Sequence, residues 1–557
     1  MRESDLGYWS GRPRRRVIAS LLLVCALSPV AADEAVDRTT AWKIRQEAQE
    51  RSQIMESLHV LTDVYGPRLT GSPQLEAASR WVADQLTRWG LVNAALEPWT
   101  FGHPGWQNER FSAHITAPVT DALVGEVLAW TPSTNGVATG RVVQIVPPER
   151  PTQEELTAFL AAAAGTVAGK MVLVGNAQTV PVQFNPSPKR REESDLRSQF
   201  DPVNPAPSPF AAMANQSPAP AGGPRRLTAQ QVGEQLDAWL VAQQALVRLN
   251  DAGREHGQIR AFNNRTFDVT KALPTVVLRN EDFGRISRLV AHKREVTLEI
   301  AITNRVFPAG TTSYNVVAEI PGTDKAAEVV MLGGHIDSWH AATGATDNAI
   351  GVATMMEAVR IIKALGLTPR RTIRVAFWGG EAQGLLGSRA YVAEHFGTFE
   401  APKPAYENFV AYFNIDGGTG RARGASVFGP AEAAAIVRAA FEPFADSGVV
   451  GTVASRSRRR GGTDHTSFNE AGLPGIGIQQ DPIEYQTHTW HTNLDTYERI
   501  VPDDAKASAA AIAYAVYHLA MRDERLPRFS KAQMPAPTPA DPPAGPAPVT
   551  VPAAPRR

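Results

Sequence analysis

The sequence predicts an α/β fold, a mixed, mostly parallel sheet sandwiched by helices, and three observations predict it. Apolar strand-like runs at residues 328–332, 373–378 and 409–415 alternate with helical patterns at 349–365 and 383–395. Such alternation is what a sheet covered by helices requires, because every crossover must bury an apolar stripe against the strands. Gly333-Gly334, Gly379-Gly380 and Gly417-Gly418 stand at or just beyond the ends of those runs, where a ligand site of an open sheet belongs. At 557 residues the chain also exceeds what one core usually serves, so a second folded unit is expected.

Residues 1–32 read as an export signal. A basic stretch ends at Arg14-Arg15-Arg16, an apolar stretch covers 17–27, and Val30-Ala31-Ala32 supplies small residues for cleavage before Asp33. That stretch is too short to cross a bilayer core, which needs about 20 residues, so the expectation is an exported protein, periplasmic or secreted, with no membrane attachment after signal cleavage. Cys25 is the single cysteine and lies within the signal; the mature chain then has no disulfide and no thiol for catalysis or metal binding. Lys plus Arg (56) equals Asp plus Glu (56), and that balance gives no reason to expect nucleic acid as a partner.

The first part of the main domain is expected over 41–123. It holds a helix at 41–59 and a second opened by Ser72-Pro73 and stopped by Gly90, with Leu75, Ala78, Val82, Leu86 and Trp89 at helical spacing. Residues 124–273 turn to short β-rich runs, such as 140–146 and 170–174, and read as an inserted β-rich domain. Within it, 181–226 is so rich in proline and charge that an irregular excursion is expected. The main domain resumes over 274–525, with a long helix at the start of which Asp347 sits as N-cap and a last helix from Pro502 to about residue 522. Residues 526–557 are Pro/Ala-rich and read as a disordered tail.

The chemistry gathers at the strand ends. His335 and Asp337 follow the first run, Asp347 precedes the long helix, Glu381 follows the second run, Asp416 the third, and His491 lies in a polar loop before the last helix. Each has an ordinary structural explanation, Asp347 as a helix cap above all. Their joint placement points instead to a divalent cation held by nitrogen and oxygen, zinc before magnesium or calcium. A carboxylate can bridge two such ions, and Glu381 is placed to move a proton from water to a leaving amine.

GGHIDSWH, GATDNAIGVA, FWGGEAQGLLGS, YFNIDGG, GGTDHTSF and HTNLD, in this order, resemble the co-catalytic zinc exopeptidase family of carboxypeptidase Q and bacterial secreted aminopeptidases. The resemblance spans roughly 58–520. It implies a zinc exopeptidase fold, with 124–273 as a protease-associated-like domain, a peptide substrate and a homodimer. It further implies His335 and Asp416 on one zinc, Asp347 bridging, and His491 on the other. Asp337 becomes the carboxylate that orients the metal-binding imidazole, Glu381 the general base, and His465 a substrate-facing or oxyanion-stabilising group.

One position departs from the pattern. The family has two adjacent glutamates where this chain has Glu381-Ala382, so one of the two zinc sites lacks a carboxylate and one or two ions are expected. The expectation is an exported zinc exopeptidase, with aminopeptidase, dipeptidase and carboxypeptidase action all open. The alternative from another class is a catalytically silent binding or receptor-like homologue. Three further features have plain readings. The arginines at 456 and 458–460 form a solvated loop, Trp339, Trp378 and Trp490 pack, and Asn264-Arg265-Thr266 fits the pattern of a glycosylation acceptor.

Overall fold

A computed structural model describes residues 36–206 and 225–537; the expected signal 1–32 and the end of the expected tail, 538–557, lie outside the described residues. Among the described residues no helix is long and apolar enough to cross a membrane.

The main sheet has eight strands, in the order Val92–Thr100, Thr312–Ile320, Arg371–Trp378, Lys325–His335, Phe409–Asn414, Gly475–Gln480, Ala422–Phe428 and Gly451–Ser455. Its centre is parallel: Lys325–His335 runs parallel to both neighbours, and Phe409–Asn414 parallel to Gly475–Gln480. Antiparallel pairs flank that centre. Register places His335 beside Trp378 and Gly333 beside Asn414, so three carboxyl ends finish at one level. Only glycine fits at 333, where a Cβ would stand 1.7 Å from the Ala376 carbonyl oxygen.

Helix Pro73–Arg88 forms as its sequence predicts, with the Ser72 hydroxyl accepting the Leu75 N–H at 3.2 Å. The expected helix at 41–59 is two pieces, Arg38–Glu50 and Ile54–His59. Helix Ile350–Ala364 is not amphipathic in its setting: residues 350–362 are all buried. It is wedged between the sheet and helix Pro502–Met521, and its polar members compensate internally. Arg360 pairs with Glu357 at 2.7 Å and with Glu47 at 2.8 Å, all three buried.

A second eight-stranded sheet draws its strands from 105 to 307, in the order Asp121–Ala122, Gly105–Ala117, Thr297–Phe307, Val137–Ile145, Met171–Val174, Val247–Asp251, Thr275–Leu278 and Gly125–Val127. Its long pair Gly105–Ala117 and Thr297–Phe307 lies outside the expected 124–273. The chain passes between the sheets at 101–104 and 308–311, and the backbone contact there excludes side chains: a Cβ on Gly105 would stand 1.9 Å from the Gly71 carbonyl oxygen.

Parts of the expected irregular stretches are ordered by specific partners. Arg190 pairs with Asp481 at 2.9 Å and Asp504 at 2.5 Å, leading into the short helix Glu193–Gln199. At the other end, Leu526 and Phe529 are buried, with Phe529 edge-on to Phe428 and under the Arg456 guanidinium. The chain from 526 to 529 is therefore packed, because its two apolar side chains find the body. Arg456 and Arg458 hold this segment through the Gln533 and Pro535 carbonyls, and Arg458 also pairs with Glu400 at 2.8 Å. Arg458 is buried and serves as an anchor rather than part of a solvated loop, while Arg456 is exposed as expected yet holds the same segment. Asn264 is buried, and its side-chain amide donates to the Trp130 and Asp268 carbonyls, which removes it as a glycosylation acceptor in the folded chain.

Candidate metal centre

Strand Lys325–His335 delivers His335, fully buried, to the centre of a ring of carboxylates. Its Nε2 lies 3.1 Å from Asp347 Oδ1, 3.5 Å from Asp416 Oδ1 and 3.9 Å from Glu381 Oε2. Its Nδ1 donates to the Asp337 backbone carbonyl at 3.0 Å, which fixes the ring and leaves Nε2 facing the acids. Asp347 turns its other oxygen, Oδ2, to His491 Nε2 at 3.0 Å. The structure therefore brings His335, Asp347, Asp416, Glu381 and His491 together, with one carboxylate spanning the two imidazoles.

Asp347 lies in a non-helical turn, at φ −132° and ψ 82°, just before helix Ile350–Ala364. It caps nothing; its own backbone N–H and that of Thr346 donate to Asp495, at 3.1 and 2.5 Å. Asp337 also differs from expectation. Its carboxylate stands 3.6 Å from His335 Nδ1, and its two oxygens accept the backbone N–H groups of Glu381 and Ala382, each at 3.1 Å. The imidazole is oriented by the Asp337 backbone, while the side chain braces the loop that carries Glu381. His465 lies with its ring against Gly477 and its Nδ1 buried without a partner.

Charge here is dominated by desolvation. Burial pushes the Glu381 carboxyl well above its ordinary range, and the charges of Asp416, Asp464 and Asp347 add to this against the opposing pull of His335. Burial also works to raise Asp347, but His491 and His335 outweigh it and hold the group below the usual range. For His335 burial favours the neutral ring, yet Glu381 and Asp416 outweigh it and draw its pKa well up. Burial lowers His465 to about 4, so its ring is neutral at pH 7.

Several residues that the sequence reading passed over adjoin or brace the centre. Tyr485 donates its hydroxyl to Asp416 Oδ1 at 3.2 Å. Asp464 is fully buried, with both oxygens lacking a hydrogen-bond partner, and burial pushes it up to about 7. Arg68, fully buried, donates to the carbonyls of Leu61, Gly66, Ile336, Thr343 and Gly344. Its contacts are almost all to backbone oxygens, so no residue pattern advertised it.

The donor set fits a zinc ion. His335, Asp347 and Asp416 offer ligand atoms that all lie within 4.8 Å of one another. Tetrahedral ligands at about 2.0–2.1 Å from zinc stand roughly 3.3 Å apart, which the 3.1 and 3.5 Å separations from His335 match. So many buried carboxylates around two imidazoles also call for a cation. Around His491 the set is thinner: besides Asp347, its neighbours are the rings of Phe262, Trp339 and Trp490, and Ala382 packs against the apolar cluster that contains Trp339.

A mixed sheet with a histidine and three carboxylates converging at its parallel strand ends, opposite a second histidine, defines a hydrolase of the metallo-exopeptidase class. Comparison with known proteins agrees. Residues 315–516 match the model of Peptidase family M28. Human carboxypeptidase Q is 27% identical over 491 residues, covering 86% of this chain and 88% of the relative. Among solved structures, a peptidase M28 precursor from Shewanella amazonensis is 25% identical with a TM-score of 0.62, covering 89% of this chain and 99% of that one. A zinc aminopeptidase from Bacillus subtilis, 17% identical with a TM-score of 0.53 over 86% of this chain and 97% of its own, shares the fold.

Proposed function

We propose that this protein is an exported zinc exopeptidase that hydrolyses terminal peptide bonds of short peptides, with Glu381 as general base. The observation that carries the reading is the Asp347 carboxylate, 3.1 Å from His335 on one side and 3.0 Å from His491 on the other. His335, Asp347 and Asp416 would hold the tighter ion, and His491 with Asp347 the weaker one, because position 382 contributes no oxygen. A bound zinc supplies a Lewis acid that acidifies water and polarises the scissile carbonyl.

The protein's own groups do the rest. Glu381, desolvated and therefore a stronger base than a surface carboxylate, takes the proton of the attacking water and returns it to the departing amine. Asp337 holds the Glu381 backbone so that the carboxylate stays aimed at the centre. His465, neutral at pH 7, keeps an N–H that can donate to a developing oxyanion.

The test is turnover of an unblocked aminoacyl-nitroanilide and of dipeptides, after chelation and again after zinc is restored. Zinc should restore activity, and Glu381→Gln should lower kcat by about 100- to 10,000-fold with zinc content retained. Protein inactive in every metal state, and indifferent to Glu381→Gln, would instead be the silent binding homologue that Ala382 makes the second reading. Export is tested by the N-terminus of the mature protein, expected at Asp33.

A further inference from the structure

The loop bearing His491 is covered by a segment of the second sheet's chain, residues 254–262, and that segment carries two guanidinium groups that no described carboxylate pairs within 4 Å. Arg260 donates through Nε to the Trp490 carbonyl at 3.1 Å and lies over the Trp490 ring, 4.6 Å from its centroid. The Trp490 ring in turn lies 4.1 Å from that of His491. Arg254 donates to the Thr487 carbonyl and to Gln258, both at 2.9 Å. Among the described residues, neither arginine has a carboxylate within ion-pair distance, and the two terminal nitrogens of Arg260 have no protein partner.

That is an unusual way to leave an arginine. Burial, and next the neighbouring charge of Arg254, push Arg260 down to about 9 against the smaller opposing pull of Asp347 and Tyr485, so its half-buried charge is costly and an arriving anion would offset the cost. The Trp490 ring beneath it and the Nε bond to the Trp490 carbonyl hold the guanidinium, and the edge between its terminal nitrogens offers two parallel N–H donors. Such a fork matches a carboxylate. The Asn493 side chain accepts the Ile259 N–H at 2.8 Å, and the Asn493 N–H donates back to the Ile259 carbonyl at 3.0 Å, so the segment is fixed against the metal-centre loop.

We propose that Arg260, flanked by Arg254, receives the terminal carboxylate of a dipeptide-sized substrate, making short peptides with a free C-terminal α-carboxylate next to the scissile bond the favoured class. This rests on the exopeptidase reading and adds a specificity-determining residue to it. An acidic side chain offers the same chemistry from another source, and the experiment separates the two.

Zinc-loaded protein is assayed with alanylalanine, with its C-terminal amide, and with the amide of alanylglutamate. The free acid is expected to exceed both amides in kcat/KM by about 10- to 100-fold, and Arg260→Gln should collapse that ratio while Arg260→Lys retains part of it. Circular dichroism checks that the variants fold, and the comparison of substrates on the unmodified protein needs no variant. Equal turnover of acid and amide, or a preference for the alanylglutamate amide, would overturn the assignment while leaving the exopeptidase reading in place. Calorimetry with alanylalanine whose peptide bond is reduced to a methyleneamine, as acid and as amide, decides the matter without turnover. Tighter binding of the acid that is lost in Arg260→Gln supports it, and equal binding refutes it, even if the protein proves to hydrolyse nothing.

Discussion

Asp337 accepts the backbone N–H of Glu381 at 3.1 Å, and this bond joins the end of one parallel strand to the loop after its neighbour. The second Asp337 oxygen takes the Ala382 N–H, so both oxygens are committed to backbone donors. Orientation of His335 falls to a backbone carbonyl instead.

That division of labour has a consequence for Asp337→Asn. The side-chain amide would place its NH2 against one of two N–H groups, leaving a buried donor unpaired at a cost of about 1–3 kcal/mol and loosening the Glu381 loop. Turnover per bound zinc should fall about 10- to 100-fold, with zinc affinity changing less. Parallel measurement of kcat and zinc affinity by competitive titration checks this. Weakened zinc binding with normal turnover of the loaded protein would mean that the carboxylate acts on His335 rather than on Glu381.

Ala382→Glu should strengthen the second ion site, since it adds an oxygen on the side where His491 has only Asp347 within ion-pair reach. Losing even an outer partner of a metal ligand costs about 10- to 100-fold in affinity, so gaining a direct ligand should be worth at least that. In a zinc titration against a chromogenic chelator, the variant should bind a second equivalent at free zinc levels where the native chain binds one. Identical stoichiometry and affinity in the two proteins would remove position 382 from the centre.

His335, Glu381 and Asp416, which the structure brings together, were legible because glycine stands beside each of them at a strand end, as at Gly334-His335, Gly380-Glu381 and Asp416-Gly417. Their supports were not. Tyr485 has no distinctive neighbours in sequence, Asp464 stood inside the GGTDHTSF motif but was passed over for His465 beside it, and Asp337 was visible but its side chain's partners, two backbone amides, leave no trace in residue type. Domain edges were blurred for a related reason. The pair Gly105–Ala117 and Thr297–Phe307 looks like any long strand pair, and only close packing of Gly71, Gly105 and Gly310 shows where the chain leaves the main sheet. Arg360 pairs with Glu47 and Glu357 inside, which is how the helix after Asp347 carries charged residues although 350–362 are buried.

Stability should depend on pH through His340, which links the two sheets. Its Nε2 donates to the Val127 carbonyl at 2.6 Å, its Nδ1 is buried without a partner, and burial lowers its pKa from 6.5 to about 4. Below pH 6.5 the unfolded chain takes up a proton that the folded one refuses until about pH 4. The neutral ring's contribution is therefore complete above pH 6.5, declines as pH falls toward 4, and is flat beyond, for a full loss of about 3 kcal/mol, of which about 2 kcal/mol has gone by pH 5. Burial of Glu126 raises it to about 7 and acts in the opposite sense between pH 7 and 4.5, so comparison with a variant is needed. Urea denaturation of chelated protein at pH 7.5 and 5 should show a smaller drop for His340→Gln than for the native chain; equal drops would exclude the ring as the source.

Arg68→Lys should be among the most damaging single changes outside the centre, although Arg68 touches no proposed ligand. Five backbone carbonyls, from Leu61, Gly66, Ile336, Thr343 and Gly344, converge on one guanidinium, and two of them bracket the turns that aim His335 and Asp347. Burial lowers Arg68 to about 10, which still leaves it charged at pH 7. A lysine keeps the charge but has three donors on a narrower head. At least two carbonyls then lose their partner, at about 1–3 kcal/mol each, and the residual ammonium is poorly matched to its site. The expected destabilisation is about 3–5 kcal/mol, read from urea unfolding of chelated protein, with Arg68→Met worse still because it supplies no donor at all. A lysine variant as stable as the native chain would show that the turns around His335 and Asp347 hold themselves without this side chain.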